Sequence, residues 1–173
     1  MKKLKYSSKP ALLTGMIATL CVLTGCWFYS FQGSTIPASV RTVSIAYIEN
    51  KAQLVYPALS NLITEKLKDK FVKMTRLTLV DEEGDFSFEG EITNYQNTTM
   101  GFTAEEVGAL NRLTITVKII FTSPEKGKSF EKTFSKFADY PSERSLDTEE
   151  AKLVDQIVED LIEEIFNATA NDG

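Results

Sequence analysis

Between Leu113 and Phe121 the sequence alternates: Leu113, Ile115, Val117, Ile119 and Phe121 stand against Thr114, Thr116, Lys118 and Ile120. Successive side chains of an extended chain point to opposite faces, so this stretch is a strand with one apolar and one largely polar face. An isolated strand of this kind is unstable; it needs neighbours in a sheet and a second layer over its apolar side. The neighbours are legible. From Val40 to Ile48, Val43, Ile45 and Tyr47 alternate with Thr42, Ser44 and Ala46, and Thr75–Val80 reads as a short strand. Phe86, Phe88, Gly90 and Ile92 share one face of another. Phe130 and Phe134 share a face of a further strand, where Phe137 breaks the parity and suggests a bulge.

Two amphipathic segments supply the second layer. A helix is expected from Pro57, suited to a first helical turn, to about Lys73. Its stripe is Leu59, Leu62, Ile63, Leu67 and Phe71, with Lys66, Lys68, Asp69 and Lys70 on or beside the other face. A second helix follows a capping box of Asp147 and Glu150, with Val154, Ile157, Val158, Leu161, Ile162, Ile165 and Phe166 on its apolar face. Between elements, 50–56, 97–108 and 139–141 read as loops, 123–128 as a hairpin turn, and 167–173 as a frayed tail. The pattern predicts an α+β domain over residues 40–170. Its core is a mostly antiparallel sheet of about four strands with two helices packed on one face. The other sheet face, rich in Thr, Ser, Glu and Lys, is expected to be wet or to meet a polar partner.

The N-terminus carries a different signal. Lys2, Lys3, Lys5 and Lys9 precede an apolar run, Ala11–Leu23, and no acid occurs before Cys26. That run is too short to span a bilayer stably and reads as a secretory signal peptide, residues 1–25. The segment Leu23-Thr24-Gly25-Cys26 resembles a lipobox, in which Cys26 takes a diacylglycerol and becomes the acylated first residue of the mature protein. Cys21 would leave with the signal, so a mature chain with one cysteine has no internal disulfide. Residues 26–39 are expected to be a lipidated tether. No Asp lies beside Cys26, which favours the outer membrane, on its periplasmic face.

Residues 1–25 hold four lysines and no acid, so the 24 acidic and 15 remaining basic residues leave a mature charge near −9. Such a chain has no general electrostatic reason to bind nucleic acid. Histidine is absent altogether, which removes the usual general base and the commonest transition-metal ligand. The acidic pairs at 82–83, 105–106, 149–150 and 163–164 suit turns and solvated helix faces. Asp81-Glu82-Glu83-Gly84-Asp85 lacks the alternating ligands and closing Glu of a calcium loop. No G-x-S-x-G, P-loop or G-x-G-x-x-G is present. Neither a catalytic group nor a cofactor beyond the acyl chains on Cys26 is expected.

Read together, Tyr29-Ser-Phe-Gln-Gly-Ser-Thr-Ile-Pro37, Val43-Ser-Ile45, Pro57-Ala-Leu-Ser60, Leu77-Thr-Leu-Val80 and Gly84-Asp-Phe-Ser-Phe-Glu-Gly-Glu-Ile92 form a recognisable series. Ala109-Leu-Asn-Arg-Leu-Thr-Ile115 and Phe134-Ser-Lys-Phe-Ala-Asp-Tyr140 continue it. In this order, behind a lipobox, they resemble the LptE family of Bacteroidota. The resemblance implies a non-catalytic plug and assembly partner of the LptD-type outer-membrane β-barrel, handling lipopolysaccharide on its way to the outer leaflet. The anionic phosphates of that substrate call for Lys or Arg. Arg112, Lys118, Lys128, Lys132 and Lys136 are the candidates, grouped by the expected hairpin on its outer side, although the same residues also serve as solvated guards of a strand edge. The competing reading is a free periplasmic lipoprotein that holds a lipid or glycan between sheet and helices.

Overall fold

In the computed structural model the described residues are 36–54, 56–100 and 109–170. The expected signal peptide, Cys26, most of the tether, residue 55, residues 101–108 of the 97–108 segment and the last three residues lie outside them. The elements are β1 (Thr42–Ile45), β2 (Glu49–Asn50), α1 (Leu59–Met74), β3 (Thr78–Val80), β4 (Phe86–Met100), β5 (Leu110–Thr122), β6 (Phe130–Pro141) and α2 (Leu146–Ala170). The α+β expectation holds, and both helices cover one face of the sheet.

The sheet itself differs from the expectation. It has six strands in the order β3-β1-β4-β5-β6, with β2 also paired to β4, and it is mixed. β1 runs parallel to both β3 and β4, whereas β4, β5 and β6 are antiparallel. The parallel part follows from α1. A helix between β1 and β3 returns the chain to the end where β1 began, so β3 must start there and run alongside it. The chain then crosses β1 through 81–85 and enters β4 on the far side.

That crossing is tight. A Cβ at Gly84 would lie 2.4 Å from the Ser44 amide nitrogen and 2.7 Å from the Val43 carbonyl carbon, so only glycine lets the backbone pass. Ser44 is buried beneath the crossing, and its Oγ accepts from the Gly84 N–H at 3.2 Å. The Asp85 carboxylate then accepts from the backbone N–H groups of Arg41 (2.8 Å) and Thr42 (3.0 Å). Those bonds hold the carboxyl below its usual range, the Arg41 amide contributing most.

Two one-residue insertions set which side chains enter the core. Between Ile45↔Phe88 and Glu49↔Glu91 the first edge advances four residues while β4 advances three. Parity therefore flips: Ile48 is buried and Tyr47, expected inside, is 59% exposed. On β4 the register shifts between Ile92 and Asn94, leaving Thr93 as the extra residue and turning Tyr95 inward. The bulge expected near Phe137 is absent, because β5 and β6 pair without a break from Phe121↔Phe130 to Leu110↔Pro141. Phe137 keeps its parity and stands on the uncovered face.

β4 and β6 run on where loops were expected, through Asn97–Met100 and through Asp139–Pro141. α2 likewise continues to Ala170, so residues 167–170 are helix and not a tail. It begins at Leu146 behind Ser145, whose hydroxyl lies 2.9 Å from that of Thr148, so the expected Asp147–Glu150 capping box does not form. Glu150 is engaged elsewhere, accepting from the Tyr95 hydroxyl at 2.6 Å.

The core lies between the sheet and the helices. A chain of rings crosses it: Phe166–Phe71 (5.1 Å), Phe71–Phe88 (4.8 Å), Phe88–Phe121 (4.9 Å) and Phe121–Phe130 (5.2 Å). These ring pairs add roughly 0.5–1.5 kcal/mol each beyond their buried area and tie both helices to the three long strands. The helices run parallel, with Lys66 of α1 bridging Asp155 and Glu159 of α2 at 2.8 Å each, and Lys70 meeting Glu163.

Candidate functional site

The five basic candidates do not form one group. Strand parity separates them, since even residues of β5 and odd residues of β6 share a face. Arg112 and Lys118 lie on the uncovered face. Lys132 and Lys136 are paired across from Ile119 and Ile115 and so lie on the helix side of the sheet. Lys128 sits in the β5–β6 turn. The expected clustering on the outer side of the hairpin therefore does not occur.

Their partners differ too. Arg112 donates from Nε and Nη2 to the two carboxylate oxygens of Asp139, at 2.7 and 2.8 Å. Its guanidinium rests 3.6 Å from the centroid of Phe137. The pair raises the Arg112 pKa and lowers that of Asp139, in each case chiefly through their mutual hydrogen bond. Lys118 meets Glu131 at 2.5 Å, which raises its pKa mainly through that hydrogen bond. Lys136 reaches Glu164 of α2 at 3.0 Å, and Lys128 lies 3.7 Å from Glu125. The Lys132 ammonium stands 5.3 Å from the Phe134 ring. Arginine stacked on an aromatic ring and held by a bidentate carboxylate is a rigid, oriented cation, while the lysines are mobile point charges.

The uncovered face between these pairs is a field of hydroxyls and amides. Thr116 and Ser135 share a hydroxyl contact at 2.9 Å, flanked by Thr114, Thr133, Asn94 and Gln96. Exposed Phe137 marks one end, and Tyr47 and Ile120 mark the other. A cleft of about 430 Å³ lies between Tyr47, Lys51, Glu91, Lys118 and Ile120. A second cleft, of about 290 Å³, opens at the sheet end where Ile36 and Pro37 meet Phe121, Phe130, Lys128 and Ala170. Phe88 and Phe134 are core residues, whereas Phe86 and Phe130 also reach the rim of that second cleft.

Sequence reasoning missed Tyr95, because the Thr93 insertion that turns it inward leaves no periodic trace. Burial, and next the bond to Glu150, push its phenol pKa up. Tyr140 is buried nearby with its hydroxyl unpartnered. Among the described residues, no group of three or more His, Cys, Asp or Glu side chains could hold a metal. None of the described helices is long and apolar enough to cross a membrane.

Two helices laid on one face of a mixed sheet, with a largely polar opposite face, define an α+β module. The model of the LptE lipopolysaccharide-assembly family matches residues 40–169, and the chain belongs to that family. No curated protein sequence matches the chain. Among solved structures, a minor lipoprotein of Acinetobacter baumannii superimposes with a TM-score of 0.50 at 14% identity, covering 77% of this chain and 95% of that one. A Xanthomonas campestris protein gives 0.52 at 9% identity over 80% and 90%, and a haemagglutinin homologue of Helicobacter pylori gives 0.50 at 12% over 79% and 87%. At these identities the similarity is one of fold.

Proposed function

We propose that this chain is an outer-membrane lipoprotein acting as the plug and assembly partner of an LptD-type β-barrel in lipopolysaccharide transport. Residues 1–25 are removed, Cys26 carries the acyl chains, and the domain stands on the periplasmic side. The observation that carries this reading is the family match over 40–169 joined to the lipobox at Leu23–Cys26. The geometry is compatible with it. A body enclosed in a polar lumen should have a filled core and a polar outside, and here seven phenylalanine rings pack the interior while the uncovered sheet face carries hydroxyls and paired charges. The role is assembly and substrate handling without catalysis, with no cofactor beyond the acyl chains and no nucleic-acid partner. For Arg112, Lys118 or Lys136, contact with lipopolysaccharide phosphates would mean exchanging a carboxylate partner for a phosphate.

Affinity purification from detergent-solubilised outer membranes tests the proposal. A β-barrel protein recovered in near-equal amount is the expected result. Recovery of the lipoprotein alone, carrying a lipid or glycan visible by native mass spectrometry, would replace the assembly role with the free-binder reading.

A further inference from the structure

The unpaired backbone groups along a sheet edge are a template for another strand, and folded proteins blunt such edges in recognisable ways. Most of this sheet is blunted. β2 and β3 are only two and three residues long. The long edge of β6 turns Lys132 and Lys136 to the helix side, carries Glu131 and Asp139 on the other, and ends at Pro141. Short strands, inward-pointing charges and a closing proline all discourage the recruitment of a further chain.

The second half of β4 lacks these guards. Its first half is covered by β1 and β2, where the Phe88 carbonyl accepts from the Ala46 N–H and the Ile92 carbonyl from the Lys51 N–H, both at 2.9 Å. Phe88 and Ile92 are core residues, so on β4 the residues facing the helices turn their backbone groups to that side. Side-chain and backbone directions alternate together along a strand. Past the Thr93 insertion the same side therefore receives the backbone groups of Tyr95, Asn97 and Thr99. Among the described residues no strand pairs there beyond Ile92. The Tyr56 ring stacks on Tyr95 at 6.4 Å, and past it residues 96–100 are all exposed. Gln96-Asn97-Thr98-Thr99-Met100 holds no charge and no proline, and its pairing with β5 is unbroken.

We propose that an extended segment of the partner protein completes this edge, laid along residues 96–100 of β4 as an added strand. Unmet N–H and C=O groups in a row are matched by another extended backbone, whose hydrogen bonds give affinity while alternate side chains give selectivity. The inference rests on the assembly role above and names the surface through which the partner is engaged. A second copy of this chain fits less well. Five residues a side fall far short of the about 20–30 a side of a stable interface. The pairing thus needs a partner already held beside the domain, where a high effective concentration makes up the difference. A closed barrel wall has no edge to spare, so the added strand comes from a part of the partner outside that wall. It runs beside Asn97 and Thr99 on one face and Gln96, Thr98 and Met100 on the other, which suits uncharged, strand-forming residues.

Amide hydrogen exchange tests this on the unaltered protein. The full-length lipoprotein is compared alone in detergent and in the complex that it brings down from solubilised outer membranes. The Asn97 and Thr99 amides should exchange about tenfold more slowly or better in the complex, while the outer edge of β6 is unchanged. Asn97→Lys/Thr99→Lys copies the guard that β6 carries, at two exposed positions. It should lower recovery of the partner several-fold with the thermal midpoint of the isolated protein unmoved. A complex in which residues 96–100 exchange as fast as in the lipoprotein alone overturns the added strand. Slowing that appears in the isolated protein and grows with its concentration gives the edge to a second copy and overturns the partner. Recovery of the unaltered lipoprotein without any barrel defeats the assembly role itself, an outcome distinct from the other two.

Discussion

Gly84 and Asp85 show how much one residue can carry. An added Cβ at Gly84 meets backbone atoms on every side, none of which can swing away like a side chain. Gly84→Ala should therefore cost about 1–3 kcal/mol, read as a lowered urea midpoint with unchanged slope. Asp85 has a folded pKa below its ordinary 3.8, so its contribution is fully present above that value and fades as pH falls through the lowered one. Asp85→Asn should lower stability at neutral pH and flatten the loss of stability on acidification below 3.8, measured by thermal melts across that range. An equally steep acid limb in the variant would assign the acid sensitivity to other carboxylates, Asp139 first.

At the scale of the element, strands and helices are joined by polar side chains placed by irregularities. Thr64 of α1 accepts from the Ile48 N–H at 3.1 Å and donates to the Ser60 carbonyl at 2.7 Å, filling the backbone gap between β1 and β2. Tyr95, turned inward by the Thr93 insertion, ties β4 to α2 through Glu150. Tyr95→Phe should cost about 1.5–3 kcal/mol, the range for a hydrogen bond to a charged group. A cost near zero would mean that water replaces the phenol at Glu150. The Lys66 bridge to Asp155 and Glu159 is more exposed. Lys66→Ala should cost about 1 kcal/mol or less, and the difference should shrink in high salt.

For the molecule as a whole, the ring chain through Phe71 makes sheet and helices one cooperative unit. Phe71 is fully buried and contacts Phe88 and Phe166, so Phe71→Ala should cost about 3–5 kcal/mol. Probes of sheet and helix should still unfold together in that variant. The proposed anchor acts at the same scale. Cys26→Ser should release the protein from outer-membrane fractions or mislocalise it, and full retention with full activity would sink the lipobox reading.

Local chemistry was enough to read the alternating strand at 113–121, the two amphipathic helices, their common face and the α+β class, because periodicity is a property of neighbouring residues. The mixed sheet was not legible in this way. A strand's direction depends on where the preceding helix delivers the chain, and a five-residue crossing over β1 depends on the room above Ser44. Nor were the insertions near Tyr47 and at Thr93, since a bulge is a relation between two strands. The basic candidates show the same limit: their identity is in the sequence, but only the pairing of β5 with β6 decided that Arg112 and Lys118 face outward while Lys132 and Lys136 turn to the helices. Register is set by the sum of contacts across a sheet, and a shift of one residue exchanges its two faces.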